Sequence, residues 1–230
     1  EGLAASGVNV QGVEVDGEVP TGVAYVYVSD LGDNNIVVNA GANSRLDKAQ
    51  IDRHLPLFTD VDYCLLQLEV PLETVEYVIR ICREKGIKVI LNPAPAQPLD
   101  AELLDGLYML MPNETELAIL CAETCGEDRE KMALNLREKG VENVIVTLGE
   151  LGCMAVVDNQ VQHYPAQKFP VVDTTGAGDA FVGGIAVGLS EQMDFPTAIR
   201  FASYAAGLTV SKPGAQTSFP DRADVNKHFN

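Results

Sequence analysis

An α/β fold, with a largely parallel sheet enclosed by helices and a small β-hairpin ahead of it, is what the sequence predicts, and three observations predict it. From about Leu46 onward, apolar strand runs alternate with amphipathic helical stretches through most of the 230 residues. The connections between them are short, as repeated β-α units of a parallel sheet require. The composition is 47% hydrophobic and 21% charged, enough for a substantial core and far from that of a disordered chain. The length suits one domain with an appendage: a hairpin within residues 12–44 and an α/β core over 45–230, together one domain over 1–230.

Taken in order, Thr21–Val28 is β-branched and aromatic, Asp30-Leu31-Gly32-Asp33-Asn34-Asn35 supplies a turn, and Ile36–Val38 resumes strand character. Such a hairpin has little local sequence to bury against and is expected to lean on a ligand or a partner. A helical stretch is predicted from Asp47 to Leu57, then a strand over Tyr63–Leu68. Pro71 fits the first turn of a helix running to about Lys85, and Gly86 stops it. Strands are predicted at Ile87–Leu91, Gly106–Leu110, Asn143–Thr147 and Cys153–Val157. Helices are predicted at Asn113–Ala122, Arg129–Lys139, Ala177–Leu189 and Phe195–Val210.

Sixteen basic against 33 acidic side chains leave a formal charge of −17. That field repels polyanions, so a nucleic-acid or membrane-surface role is not expected. No apolar window is long enough for a membrane span, and the start lacks the basic and apolar regions of a secretory signal. The first residue is Glu1 rather than Met, from which we expect a partial or trimmed chain. Five cysteines, at 64, 82, 121, 125 and 153, include no C-x-x-C pair. Cys121 and Cys125 lie one helical turn apart, but without a second pair reduced, buried thiols in the cytoplasm are expected rather than a metal centre.

Ligands of a parallel sheet bind beyond its C-terminal strand ends. There the sequence places Glu69, Asn92-Pro93-Ala94-Pro95, Pro112-Asn113-Glu114-Thr115-Glu116 and Thr147-Leu148-Gly149. Asp173-Thr174-Thr175-Gly176-Ala177-Gly178-Asp179 joins them at the head of a helix. Its glycines allow close backbone approach, and the free amides and dipole of the helix start suit an anion. Asp179 would repel a phosphate, so it is read as a base toward a hydroxyl nucleophile; the alternative is a Gly-rich turn with an acidic residue favourable to the dipole. Asn113 and Glu116 have capping-box spacing, with places near phosphates and Mg²⁺ as the other reading. Neither a Walker A sequence nor protein-kinase, zinc-protease or nucleophile-elbow signatures occur.

DTTGAGDAFVGG, from Asp173 to Gly184, resembles the second signature of the ribokinase-like (PfkB-type) carbohydrate kinases. Supporting motifs follow in the same order: TGVA at Thr21, AGAN at Ala40, QLE at Gln67, LNPAPA at Leu91, PNETE at Pro112, VTLGELG at Val146 and KPGAQTSFP at Lys212. The resemblance implies a three-layer α-β-α sandwich with a mostly parallel sheet and a hairpin lid. It implies ATP-dependent transfer of the γ-phosphate to the primary hydroxyl of D-ribose, giving ribose 5-phosphate. Fructose, 2-keto-3-deoxygluconate and adenosine are alternative acceptors, and an inactive nucleotide-binding fragment is the non-catalytic one.

On the same resemblance Asp179 is the catalytic base, and Gly176, Ala177 and Gly178 form the anion hole. Asn113, Thr147, Leu148, Gly149, Gly152, Gly178 and Ser203 bind ATP. Glu69, Asp179, Ala24 and Val26 meet the sugar, and Glu116 organises Mg²⁺. Asp173, Thr175, Thr209, Lys212, Gly214 and Ser218 surround a K⁺ activator. Partners are a small sugar and ATP, with a cytoplasmic homodimer formed through one face of the hairpin. The strand and the sugar-binding signature with which family chains begin have no counterpart here, so low turnover is expected of this chain.

Overall fold

The computed structural model describes residues 2–28, 34–121 and 128–229, with side chains omitted at 26–28 and 34–36. In chain order the elements are α1 (Gly2–Ala5), β1 (Thr21–Val28), β2 (Asn34–Gly41), α2 (Lys48–Arg53), β3 (Tyr63–Leu66), α3 (Leu72–Lys85), β4 (Lys88–Leu91), α4 (Ala101–Leu104) and β5 (Met109–Leu110). There follow α5 (Glu114–Cys121), α6 (Arg129–Glu138), β6 (Asn143–Thr147), β7 (Cys153–Val157), β8 (Gln160–Tyr164), α7 (Ala177–Ser190), α8 (Phe195–Val210) and α9 (Arg222–Phe229). The chain divides into two compact units, residues 1–61 with 67–86, and residues 62–66 with 87–230. Among the described residues no helix is long and apolar enough to cross a membrane.

In the first unit β1 and β2 pair antiparallel, with Val23 opposite Asn39, Tyr25 opposite Val37 and Val28 opposite Asn34. Asn34 and Asn35, expected in the turn, are therefore strand residues, because the ladder continues to the end of β1; Asp30–Asp33 lie outside the described residues. Between α1 and the hairpin the chain has no regular structure and is tied down by charge. Glu14 receives Arg53 at 2.7 Å and His54 at 2.9 Å, while Arg45 reaches Asp16 and Glu18, each at 3.2 Å. The predicted Asp47–Leu57 helix is interrupted. Asp47 and Gln50 form a capping box that starts α2, and Pro56, which lacks an amide proton, leaves only a 3₁₀ turn over Leu55–Phe58. Val75, Val78, Ile79 and Cys82 bury one stripe of α3, and Gly86 ends it with φ 70°.

The second unit is a six-stranded sheet in the order β3-β4-β5-β6-β7-β8, parallel through β6 and antiparallel thereafter. Met109, Ile145, Cys153 and Ala155 point to one face, where Phe181, Val182, Ile185 and Leu189 of α7 and Ala198, Ile199 and Ala202 of α8 cover them. The alternate residues Leu110, Val144, Val146, Met154 and Val156 are equally buried on the other face; α5 and α6 contact β6. Helices α7 and α8 approach closely because Gly184 and Gly188 stand against Ala202 and Ala198. The strand predicted from Gly106 reduces to Met109–Leu110, since Gly106 turns with φ 74° and its amide leaves the ladder for Gly140 O. Likewise the strand expected over Tyr63–Leu68 ends at Leu66. Cys125 and Ala122 lie outside the described residues.

Candidate active site

Loops at the C-terminal ends of the parallel strands are knitted to one another. The Asn92 amide donates to Leu66 O at 2.9 Å, and its side-chain Nδ2 donates to Met111 O at 2.9 Å, so the ends of β3, β4 and β5 are bound together. Thr147 N–H donates to Pro112 O at 3.0 Å, and Asn113 and Thr147 form an isolated parallel bridge. Two segments predicted to share a ligand, Pro112–Glu116 and Thr147–Gly152, are thus adjacent. The second turns through a 3₁₀ segment over Gly149–Leu151. Gly152, at φ 99°, could carry no side chain there, because a Cβ would lie 2.0 Å from Tyr164 O.

The capping box at the head of α5 is realised on both sides. Glu116 N–H donates to Asn113 Oδ1 at 2.9 Å, and Asn113 N–H donates to Glu116 Oε2 at 2.8 Å. Glu116 is only 8% exposed. Burial pushes its carboxyl above the ordinary range, partly offset by the Asn113 amide. A buried carboxylate with a single backbone donor on one oxygen retains lone pairs for a hydrated cation.

At the head of α7 the sequence Thr174–Asp179 forms a turn in which Gly176 takes φ 79°, and no side chain caps the helix. The Ala177 amide donates to Thr174 O at 3.2 Å, which leaves the amides of Gly178 and Asp179 in the first turn for a ligand, with the positive end of a 14-residue helix behind them. Gly178 faces open space, with nothing within 4 Å of where a Cβ would stand. Asp179 sits in that first turn, open to solvent on one side yet enclosed enough that desolvation raises its pKa. A carboxyl with a raised pKa beside the open amides of a helix start can accept a proton while those amides hold an anion.

Asp173 joins this turn to the loop after α8. Its Oδ1 accepts from Thr175 N–H and its Oδ2 from Gly214 N–H, both at 2.9 Å. The Thr175 amide, then its hydroxyl and the Gly214 amide, hold the carboxyl below its ordinary range, so it stays ionised. Ser218 is fully buried and bonds Ala215 O through both its amide and its hydroxyl. The Asp173 carboxylate, the Ser218 hydroxyl and the Ala215 carbonyl are thus oxygen atoms held along one loop. Among the described residues no three His, Cys, Asp or Glu side chains converge.

Ser203 is buried in α8 with its hydroxyl donating to Ile199 O at 2.8 Å, and Thr209 does the same to Ala205 O at 2.9 Å. Lys212 is exposed. In the first unit, Glu69 is exposed in the bend before α3 and Ala24 is exposed on β1; Val26 lies in β1 with its side chain outside the described residues. Sequence reasoning did not single out Phe219, whose ring lies against Gly176.

A family profile described as pfkB family carbohydrate kinase matches residues 1–222. A ribokinase of Haemophilus influenzae is 36% identical over 225 residues, 97% of this chain and 74% of that protein. A deoxyribokinase of Salmonella typhi is 37% identical over 232 residues, 99% of this chain and 76% of that protein. Among solved structures, the Arabidopsis thaliana ribokinase complexed with ribose and ATP matches with a TM-score of 0.84 and 33% identity, covering 92% of this chain and 70% of that one.

Proposed function

The chain belongs to the pfkB family of carbohydrate kinases and is an ATP-dependent sugar kinase, a phosphotransferase acting on an alcohol group; from that premise we propose that it phosphorylates the primary hydroxyl of D-ribose to give ribose 5-phosphate. One observation carries the site assignment: an uncapped helix start with Asp179, its pKa raised, in the same first turn. Asp179 takes the proton of the sugar hydroxyl as its oxygen attacks the γ-phosphorus in line. The bond from that phosphorus to the β–γ bridging oxygen breaks, and ADP leaves. The amides of Gly176, Ala177 and Gly178 receive the charge on the transferred group, that of Ala177 being shared with Thr174 O, and Asp179 ends protonated.

Asn113, Thr147, Leu148, Gly149, Gly152 and Ser203 are assigned to the nucleotide, and Glu69, Ala24 and Val26 to the sugar. The bridge between Asn113 and Thr147 supports the first set. Mg²⁺ on the triphosphate would be organised by Glu116 and would neutralise phosphate charge. K⁺ would be held by Asp173, Thr175, Thr209, Lys212, Gly214 and Ser218, several through backbone carbonyls, and would fix the field beside the α7 turn. The buried Cys153 thiol, its pKa pushed up to about 12 by burial, suits a reducing cytoplasm.

Ribose rests on the ribokinase relatives; 2-deoxyribose is the second reading, favoured by the deoxyribokinase relative. Both are tested by ATP consumption across ribose, 2-deoxyribose, fructose, 2-keto-3-deoxygluconate and adenosine. Ribose is expected to give the highest kcat/KM, and a higher value for any other acceptor overturns that choice. Asp179→Asn is expected to lower turnover about 10²–10⁴-fold with ATP affinity within a few-fold. Turnover within tenfold of the parent would remove the base assignment.

A further inference from the structure

The loop after α8 touches the head of α7 at a second place. The C–H side of Gly176 faces the ring of Phe219: a Cβ there would stand 2.9 Å from Cε1, 3.4 Å from Cζ and 3.7 Å from the Cα of Ala215. Gly178, two residues on, meets nothing within 4 Å. One glycine of the turn is thus backed by a wall and the other is bare, which is how a turn held from behind presents its amides forward. Phe219 is 40% exposed, so its ring is only partly withdrawn from water.

The segment carrying Phe219 is itself fixed. Gly214 N–H donates to Asp173, and Ser218 is bonded to Ala215 O through its amide at 3.0 Å and its hydroxyl at 2.6 Å. The α7 turn is therefore gripped twice by one loop, through the Asp173 carboxylate before Gly176 and through the Phe219 ring on Gly176. A residue in the left-handed region without a side chain has wide freedom to rotate, and a ring against its Cα removes that freedom on one side.

We propose that Phe219 is a positioning residue for phosphoryl transfer, holding the Gly176 backbone so that the first-turn amides of α7 point at the transferred group. It touches no reacting atom and acts through Gly176. The inference rests on the reading of the α7 turn as the phosphoryl site.

Calorimetric titration of the full chain with ADP, with and without aluminium fluoride, reads the turn directly, since aluminium fluoride fills the place of the transferred phosphoryl group and ADP alone does not. Phe219→Ala is expected to cut the fluoride-dependent tightening about tenfold with ADP affinity within about twofold, and Phe219→Leu to recover most of it, because small displacements of reacting groups are costly. Gly176→Ala, strained at φ 79° and with a methyl that would meet the ring, is expected to abolish the tightening. Full tightening in Phe219→Ala, or equal loss of both affinities, would overturn the positioning role and leave the α7 site standing. Absence of tightening in the parent, or its survival in Gly176→Ala, would overturn the α7 site and the proposal together.

Discussion

At the scale of single residues, Glu116 shows how a structural and a chemical role separate by substitution. Glutamine at the same position still accepts from the Asn113 amide, so Glu116→Gln keeps the capping box seen here. Its effect on stability should stay below about 1 kcal/mol, because only the charge–dipole contribution is lost and burial opposed that charge already. If Glu116 organises Mg²⁺, the variant needs more Mg²⁺ for half-maximal turnover; an unchanged Mg²⁺ titration would leave it a helix cap and nothing else. Asp179 makes a pH prediction. Desolvation raises its pKa above the ordinary value of 3.8, and only the ionised form can take a proton. Turnover should therefore fall as pH drops through that raised pKa, and the acid limb should vanish in Asp179→Asn. Asp173 runs the other way. Its amide donors lower its pKa, so its support of the Gly214 loop is present above 3.8 and is lost only as pH falls through the lowered value, below the limb set by Asp179.

At the scale of elements, the hairpin and the Asp173–Gly214 loop carry the tests. Val23, Tyr25 and Val37 share one exposed face by register, and Ala24 and Val38 are exposed on the other. Apolar strands open on both sides favour a covering partner, and we expect a homodimer through this hairpin. Sedimentation of a Tyr25→Asp, Tyr27→Asp double variant should give monomer where the parent gives dimer; a variant that remains dimeric excludes the hairpin as the interface. The loop predicts activation when Na⁺ is replaced by K⁺ at constant ionic strength, and equal rates would remove the cation but not the phosphoryl turn. Elements with a strong period and clear stops, such as α3 between Pro71 and Gly86 or α7 after its glycines, were legible in the sequence. The four missed ones lack that signal, α1 being four residues with none buried. Strand β8 (Gln160–Tyr164) is a polar edge with only Val161 and Tyr164 half-covered, α9 buries Val225 alone, and α4 is a single turn. The Asp158-Asn159 pair, both at positive φ, is the turn signal that could have revealed β8. In the site, the Asn113–Glu116 cap follows from spacing, whereas the hydroxyls of Ser203 and Thr209 bond within α8 and the Phe219–Gly176 contact joins distant segments. The hydroxyl bonds are the local i to i−4 back-bonds of helical Ser and Thr; no local pattern encodes the Phe219–Gly176 contact.

At the scale of the whole molecule, charge decides how nucleotide arrives. Thirty-three acidic and 16 basic residues leave −17, and many of the basic ones are already matched at the surface: Arg45, Arg53, Arg129, Arg222, Lys131 and Lys227 each pair with a carboxylate. On the proposed site, attraction for a triphosphate would come from backbone amides and a helix end, which act over a turn of helix. The repulsion comes from the net charge and reaches about 10 Å at 0.1 M salt. Salt screens the long-range part and leaves the short-range part nearly intact. The association rate of a fluorescent ATP analogue should therefore rise, by about two- to fivefold, between about 20 and 200 mM choline chloride at fixed free Mg²⁺, choline being too large for an alkali-cation site. Stopped-flow mixing measures it. A rate that falls with salt would mean that a cationic patch near the α7 turn outweighs the global field, and capture would then depend on Lys or Arg side chains rather than on the amides of Gly176–Gly178.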